Sequence, residues 1–252
     1  MRSCCIVDLG LIRYAEASEL QKRVVTARKA AAIEDMLLFC EHPHVITLGR
    51  SGNRANLLAS ENVLRQKGVE YFVTSRGGDI TYHGPGQIVG YPILNLGAIR
   101  RDVVWYVRML EEAMIRATAE FGIAARREVG KTGIWVDAGQ VDLTQSIQRT
   151  DLQAEKLAAI GVHISRWVTS HGFAYNVATD LRYFDLIVPC GIEERKATSL
   201  EKLLQRQVNL PEVQPPLAKH FGEVFELEMR VASREELLEQ LDQAERAVAL
   251  PA

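Results

Sequence analysis

Residues 76–92 read RGGDITYHGPGQIVGYP, and they interrupt sequence that otherwise has the composition of β-strands. The stretch contains five glycines, which let a ligand approach the backbone closely and accept positive φ angles. Hydrogen-bonding side chains alternate with these glycines in larger numbers than a structural turn requires. The pattern therefore predicts a loop that wraps a ligand. The alternative is a β-bulge or a pair of tight turns that joins two strands.

The composition is that of an ordinary globular protein: 252 residues, 47% hydrophobic and 25% charged, with a formal net charge of −2. This balance provides no basic field for nucleic acid, and the glycine-rich stretch matches neither GxxxxGK[ST] nor GxGxxG. No run approaches the ~18 apolar residues of a membrane span, and the N-terminus lacks the apolar run of a signal peptide. We expect a cytoplasmic protein that has neither nucleic acid nor a membrane as partner.

Predicted strands and helices follow one another without the regular alternation of βαβ units, which indicates an α+β fold. The predicted strands lie in 4–14, 36–50 with a corner at Pro43, 69–74, 88–96, 131–137, 157–168 and 171–177. The predicted helices are 16–34, a short one that Asn56 caps, a long one that Asp102 caps, one near 198–206, one that starts near Pro216 after a PEVQPP loop, and a last one that Ser233 caps.

The four cysteines form no CxxC pair and no zinc-like spacing, so the sequence predicts free thiols and no metal site. Cys4, Cys5 and Cys40 lie in apolar, strand-like segments that are typical of buried thiols. Cys190 lies instead in a Pro-Cys-Gly turn, where backbone N–H groups favour a thiolate. This context makes Cys190 a candidate nucleophile. The alternative is a buried residue at the end of a strand.

A cysteine nucleophile needs a neighbouring group that takes its proton, because the ordinary pKa of a thiol is about 8.5. Papain-like chemistry uses a histidine, and His83 and His171 both lie in predicted loops. Lysine is the other option, and Lys131 in the GKTG motif is a candidate from the residues alone. The residues by themselves leave these alternatives open.

The glycine-rich stretch resembles the corresponding motif of the lipoyl(octanoyl) transferases. Three further segments fit this family in the same order: GKTGIWVD at 130–137, KLAAIGVHISRWVTSHGFAYNV at 156–177 and DLIVPCGI at 185–192. The resemblance covers roughly residues 40–210. It implies transfer of an octanoyl group from octanoyl-acyl carrier protein to the target lysine of a lipoyl domain through an acyl-cysteine thioester, the first step of endogenous protein lipoylation.

The resemblance also assigns roles to individual positions. It implies that Cys190 is the nucleophile and that Lys156, which opens the KLAAIG segment, is its catalytic lysine. Small and aromatic side chains, among them an apolar face of Tyr82, are the expected receptor for an acyl chain. The implied substrate-binding residues are Arg76, Gly77, Gly78, Asp79, Ile80, Thr81, Tyr82, His83, Ala159, Ile160, Gly161, Gly172, Phe173 and Ala174.

The implied fold is a mixed, mainly antiparallel sheet flanked by helices, similar to the catalytic domains of biotin and lipoate protein ligases. We expect one catalytic domain over residues 1–252, with 211–252 as a helical C-terminal extension of it. The implied partners are acyl carrier protein and, as acceptors, the lipoyl domains of 2-oxoacid dehydrogenase complexes and the glycine cleavage H protein. Because the incoming thioester is already activated, no cofactor, metal or nucleotide is expected.

Two other functions remain open. An ATP-dependent lipoate or biotin protein ligase shares the fold and the glycine-rich loop, but adenylate chemistry has no use for a nucleophilic thiol. A catalytically silent acyl-binding or partner-binding module would need neither Lys156 nor Cys190. The chain departs from the family in two places: residues 138–155 are long and polar, and Glu155 precedes Lys156 where a basic residue is common.

Overall fold

The protein is described by a computed structural model that covers residues 2–137, 154–188 and 196–249. Helices and strands alternate irregularly along the chain. The strands are β1 (Arg2–Leu11), β2 (Asp35–Glu41), β3 (Val45–Leu48), β4 (Glu70–Val73), β5 (Ile80–His83), β6 (Gln87–Ile93), β7 (Arg126–Glu128), β8 (Lys131–Asp137), β9 (Ala154–Ser165), β10 (Val168–Asn176) and β11 (Leu227–Ala232). The helices are α1 (Tyr14–Lys29), α2 (Glu61–Gln66), α3 (Val103–Ala119), α4 (Leu200–Leu204), α5 (Leu210–Phe225) and α6 (Arg234–Ala249).

Eight strands form one sheet in the order β11-β1-β2-β6-β10-β9-β8-β7. The pairs β1–β11 and β1–β2 are parallel, and the remaining neighbours in this sheet are antiparallel. A second, three-stranded sheet has the order β4-β3-β5. The predicted α+β fold with a mixed, mainly antiparallel sheet flanked by helices is confirmed.

Helices cover both faces of the large sheet, because alternate strand residues are apolar on opposite sides. On β2, Leu37 and Phe39 pack into one buried cluster, which also contains apolar residues of α3 and α5. Their neighbours Met36 and Leu38 pack into the other cluster, with residues of α1 and α6. The small sheet has its own core around Ile46, Leu64, Ile80 and Tyr82.

Two predicted caps hold their helices. The Asp102 carboxylate accepts a hydrogen bond from the N–H of Trp105 at 2.9 Å, at the start of α3. At the start of α6, Ser233 and Glu236 form the predicted capping box, with hydrogen bonds of 2.7 and 3.1 Å. Each cap satisfies amide donors that the first helical turn would otherwise leave unpaired.

Three local predictions are wrong. The short helix α2 is capped by Ser60, while Asn56 ends a separate 3-10 turn that Asn53 caps. The PEVQPP segment, predicted as a loop, forms the first turns of α5. Burial of its Val213 against the core stabilises the helical conformation. The segment 211–252 also contains β11, which pairs in parallel with β1 through contacts distant in sequence. Within the described ranges, no helix is long and apolar enough to cross a membrane.

Candidate active site

A cavity of about 300 Å³ lies between the glycine-rich loop and the large sheet. The loop joins β4 to β5 and forms one side, while β9, β10 and β6 form the other. Apolar and aromatic side chains form much of the lining, and an equal number of polar or charged residues, among them three lysines, also line it. A cavity of this kind is the usual form of a small-molecule site.

Hydrogen bonds fix the glycine-rich loop over the sheet. The N–H of Gly77 donates to the carbonyl of Val162 on β9 at 2.9 Å. The guanidinium of the buried Arg76 donates to the hydroxyl and the carbonyl of Thr47 on β3 and to the carbonyl of Gly77. Gly78 has φ +82°, a conformation in which other residues are strained. Arg76 therefore shapes the loop as well as lining the cavity.

Small residues bring the neighbouring strands together behind the cavity. A side chain at Gly172 on β10 would place its Cβ 2.1 Å from the carbonyl oxygen of Gly90 on β6, so only glycine fits there. Ala159, Ile160 and Ala174 line the adjacent wall, where longer side chains would occupy the empty volume.

The structure brings most of the predicted substrate-binding residues to this cavity. The lining contains Arg76, Gly78, Asp79, Ile80, Thr81, His83, Ala159, Ile160, Gly161, Gly172, Phe173 and Ala174, together with the predicted lysine Lys156. Whether these residues bind an acyl group stays a prediction. Gly77 is not among the lining residues, and it contributes through the backbone hydrogen bond described above.

The prediction that the Tyr82 ring faces the acyl chain is wrong, because the ring points away from the cavity. Successive residues of a strand point to opposite sides, so Thr81 and His83 face the cavity while Tyr82 points into the core of the small sheet. The Tyr82 hydroxyl is 2.7 Å from Nδ1 of His44, and its ring stacks on Tyr183 with centroids 5.1 Å apart.

Both candidate lysines lie at the cavity, close to the Trp135 indole. Nζ of Lys156 is 4.6 Å from the ring centroid, and Nζ of Lys131 is 5.8 Å from it. The Lys156 backbone is held by the carbonyl of Lys196 and the N–H of Thr198, each at 2.9 Å. These contacts hold the Lys156 ammonium on the aromatic face that β8 presents.

A buried carboxylate positions the strand that carries Trp135. Glu111 on α3 accepts a hydrogen bond from the N–H of Gly133 at 3.1 Å and pairs with Arg108 and Arg127. Its side chain is fully buried, and removal of its partners would leave an uncompensated charge in the core. The ion pairs thus tie β8 and its indole to α3.

Glu155 does not oppose Lys156. Its carboxylate forms an ion pair with Nζ of Lys202 on α4 at 2.8 Å, and Glu155 is not among the cavity-lining residues. Adjacent strand residues point to opposite sides, so the charge of this acidic neighbour is paired away from Lys156.

Cys190 and the polar residues 138–153 lie outside the described residues. The segment that contains Cys190 is bounded by Val188, whose N–H donates to the carbonyl of Asn56 at 2.7 Å, and by Lys196, which lines the cavity. The other cysteines are buried. Burial raises the pKa of the Cys4, Cys5 and Cys40 thiols, so these three are poorly suited to form thiolates.

The histidines at the cavity are weak bases. Burial lowers the pKa of His83 to about 3, and electrostatic interactions with His42 and with the Arg76 charge act in the same direction. Burial also lowers the pKa of His171 to about 4, assisted by Arg76. A histidine with so low a pKa is a weak base, and at neutral pH it does not hold a proton that it has taken from a thiol. Neither histidine is therefore suited to hold a thiol proton at neutral pH.

A buried amide network fixes the His83 ring. The Gln87 amide nitrogen donates to the carbonyl of Tyr82 and to Oδ1 of Asn176, which leaves Oε1 of Gln87 to accept from Nδ1 of His83 at 2.7 Å. His83 consequently carries its proton on Nδ1, and its Nε2 is the acceptor.

Replacement of Gln87 by leucine should destabilise the protein by about 1–3 kcal/mol, because it leaves buried groups of His83 and Asn176 without their partner. Chemical denaturation of both proteins measures the difference in the free energy of unfolding. Gln66→Leu, on an exposed face of α2, is the matched control and should change this quantity by less than ~0.5 kcal/mol. Equal stability of the Gln87 variant and the wild type would contradict the network.

Comparison with known proteins identifies the family of the chain. A family model described as the lipoyl protein ligase A/B catalytic domain matches residues 13–222. The octanoyltransferase of Solibacter usitatus is 49% identical over 229 residues, which is 91% of this chain and 96% of that protein. The chain belongs to the lipoyl(octanoyl) transferase family. It is therefore an enzyme, an acyltransferase, and the silent binding module is discarded.

Solved structures support the fold of this chain. A bipartite lipoate protein ligase from Thermoplasma acidophilum superimposes with a TM-score of 0.72 at 16% identity, covering 98% of this chain and 92% of that one. A lipoate-protein ligase A solved with ATP gives a TM-score of 0.69 at 17% identity, covering 98% and 94%. The predicted likeness to lipoate ligase catalytic domains is confirmed at the level of the fold.

Several residues that line the cavity were not predicted from the sequence. Val89 and Tyr91 continue the two-residue period of Gln87 along β6, so this alternation contained the signal. Trp135 lies inside the GKTGIWVD motif, yet its type alone indicated only a core residue. Tyr14 opens α1 far away in sequence, and no local pattern connects it to the cavity.

Proposed function

We propose that this octanoyltransferase moves an octanoyl group from acyl carrier protein to the ε-amine of the target lysine on a lipoyl domain, through a thioester on Cys190. The observation that carries the proposal is the apolar cavity with the Lys156 ammonium at its wall. An octanoyl chain forms no hydrogen bonds, so such a lining suits it. The cavity volume lies at the lower end of the ~300–1,000 Å³ range of small-molecule sites, which suits a chain of medium length.

Three observations support Cys190 as the nucleophile. The buried thiols of Cys4, Cys5 and Cys40 have raised pKa values, which leaves Cys190 as the remaining cysteine. The chain on the C-terminal side of Cys190 returns to the cavity wall at Lys196, beside Lys156. The third is the Pro-Cys-Gly sequence itself, a context in which we expect backbone N–H groups to stabilise a thiolate and an oxyanion.

The proposed reaction has two halves. In its neutral amine form Lys156 takes the thiol proton and becomes an ammonium, Cys190 Sγ attacks the donor carbonyl carbon, and the bond to the carrier sulfur breaks as the Lys156 ammonium returns the proton to that sulfur. The amine of the acceptor lysine then attacks the Cys190 thioester. An amide bond forms, the bond to Cys190 Sγ breaks, and Lys156 transfers the proton from the amine nitrogen to that sulfur. The thioester supplies the energy, so the proposal requires no metal, nucleotide or other cofactor.

The proposed acceptors are the lipoyl domains of 2-oxoacid dehydrogenase complexes and the glycine cleavage H protein, and the proposed compartment is the cytoplasm. We further propose that the chain acts as one catalytic domain that includes residues 211–252. Its support is that β11 extends the large sheet and α5 packs into the same core as α3.

A donor experiment tests the transferase against the ATP-dependent ligase. Modification of a lipoyl domain from octanoyl-acyl carrier protein should proceed fully in EDTA without nucleotide, as measured by the intact mass of the lipoyl domain. Free octanoate with ATP and Mg²⁺ should give no product. Efficient ATP-dependent labelling from free octanoate would overturn the proposal and favour the ligase, which shares the fold.

Ala159→Leu should shorten the acyl chain that the enzyme accepts, because the larger side chain fills part of the cavity that Ala159 lines. We expect kcat/KM for the octanoyl donor to fall by about 10–200-fold, the scale on which apolar pockets discriminate by chain size, while a butyryl donor is affected far less. The control is Ala30→Leu, at an exposed position after α1, which should leave the profile unchanged. An unaltered chain-length profile in the Ala159 variant would place the acyl chain elsewhere.

A further inference from the structure

Asp79 places a carboxylate at the cavity that an octanoyl group cannot use. The residue lines the cavity and directly precedes β5. An ionised carboxylate only accepts hydrogen bonds, whereas the acyl part of a thioester contains no donor. Both carboxylate oxygens of Asp79 are instead engaged within the protein. Oδ1 accepts a hydrogen bond from the N–H of Asn53 at 3.0 Å, and Oδ2 accepts one from the side-chain amide of Asn56.

The segment that follows β3 is hydrogen-bonded to the glycine-rich loop, and the Asp79 carboxylate extends this contact. The N–H of Gly49 donates to the carbonyl of Asp79 at 3.0 Å, and the N–H of Ser51 donates to the carbonyl of Gly78 at 3.2 Å. The side chain of Asp79 then reaches Asn56, further along the same segment. The position of Asn56 therefore depends on the loop that lines the cavity.

Asn56 also contacts the segment that leads to Cys190. Its carbonyl accepts a hydrogen bond from the N–H of Val188 at 2.7 Å, two residues before Cys190 in the sequence. The next residue, Leu57, pairs with Ile187 in an antiparallel bridge, and Ile187 is buried in the core of the small sheet. Asn56 thus holds the glycine-rich loop through its side chain and the approach to Cys190 through its backbone.

We propose that Asn56 and Asp79 are positioning residues that align Cys190 with the bound acyl group; this inference rests on the proposed function. One side of the pair belongs to the loop that lines the cavity, and the other side holds Val188. Attack of a thiol on a carbonyl carbon requires the reacting atoms to lie about 3–3.5 Å apart, and a misplacement of about 1 Å costs roughly 10²-fold in rate. Neither side chain exchanges a proton or forms a bond in the reaction.

Asn56→Asp tests the pair, because it places two carboxylates within hydrogen-bonding distance and their repulsion separates the loop from the turn. We expect the rate constant for acylation of the enzyme at saturating octanoyl-acyl carrier protein to fall about 10²-fold, as measured by rapid quenching and intact mass. The dissociation constant for octanoate, which cannot acylate the thiol, should stay within about threefold. The matched control is Asn62→Asp, at an exposed position of α2, which makes the same change in charge and should be acylated at the wild-type rate.

The exchanged pair, Asn56→Asp with Asp79→Asn, should restore the reaction. The amide nitrogen at position 79 then donates to the carboxylate at position 56, and the amide oxygen still accepts from the N–H of Asn53. Acylation should return to within about fivefold of the wild type, since the two substitutions act on one contact. If Asn56→Asp does not fold, Asn56→Ala removes only the amide donor, keeps the backbone bond to Val188, and should slow acylation roughly 10-fold.

Three results would overturn the inference. Acylation of the Asn56 variants at the wild-type rate, even with a lower free energy of unfolding, would make the contact merely structural. A weaker affinity for octanoate with an unchanged saturating rate would assign the pair to acyl binding. An exchanged pair as slow as Asn56→Asp would show that the contact is not what the single variant disturbs. A wild type that octanoyl-acyl carrier protein does not acylate on Cys190 would instead refute the proposed function.

Discussion

Cys190→Ala should reduce transfer of the octanoyl group from acyl carrier protein to a lipoyl domain by a factor on the order of 10³ or more, since loss of a covalent nucleophile removes the proposed route. The measurement is the initial rate of lipoyl-domain modification, followed by intact mass. Replacement of one thiol by a hydrogen atom removes little volume, so the unfolding transition should change little.

Cys5→Ala is the control for this variant, because it removes a thiol from β1 whose pKa is raised by burial. It should retain the wild-type rate of transfer. If Cys190→Ala kept more than about a tenth of the wild-type rate, direct transfer from carrier to acceptor would replace the two-step reaction.

Lys156→Ala should slow both acylation of the enzyme and transfer to the lipoyl domain by about 10²-fold or more, the usual contribution of a general acid–base group. The structure provides a close control, because Lys131 lies against the same Trp135 ring and at the same cavity. Lys131→Ala removes the same charge from the same surroundings. We expect it to retain most of the activity.

The pH dependence of thiol alkylation separates a role in proton transfer from a role in binding. A neighbouring ammonium favours the thiolate, so removal of Lys156 should move the alkylation midpoint of Cys190 to higher pH. A larger loss of activity in the Lys131 variant would identify Lys131 as the catalytic lysine. If neither lysine mattered, a histidine would have to serve despite its low pKa.

The sequence was most informative where local patterns decide structure. The capping residues Asp102 and Ser233 start α3 and α6, and the alternation around Gly172 predicts a strand whose small residues permit close packing. The glycine-rich stretch predicted a ligand-facing loop, and only its first part, residues 76–79, is such a loop at the cavity, while the rest forms β5, a tight turn and β6. These features depend on neighbours within a few residues.

Local sequence patterns did not predict the features that depend on contacts between residues distant in sequence. Tyr82 has the aromatic ring expected of an acyl receptor, but strand alternation and the stacking partner Tyr183 turn it into the small core. The prolines at 215 and 216 indicated a loop, yet burial of the apolar face of α5 outweighs the lost hydrogen bonds. The parallel pairing of β11 with β1 joins opposite ends of the chain, and no local signal predicts it.

The central claim is an acyl-Cys190 intermediate, and intact mass of the enzyme after incubation with octanoyl-acyl carrier protein alone tests it most directly. The account predicts one octanoyl adduct per chain that hydroxylamine removes and that peptide mapping places on Cys190. Subsequent addition of a lipoyl domain should transfer the octanoyl group and restore the original mass. An adduct on Cys4, Cys5 or Cys40, or efficient turnover with no adduct at any time, would contradict it.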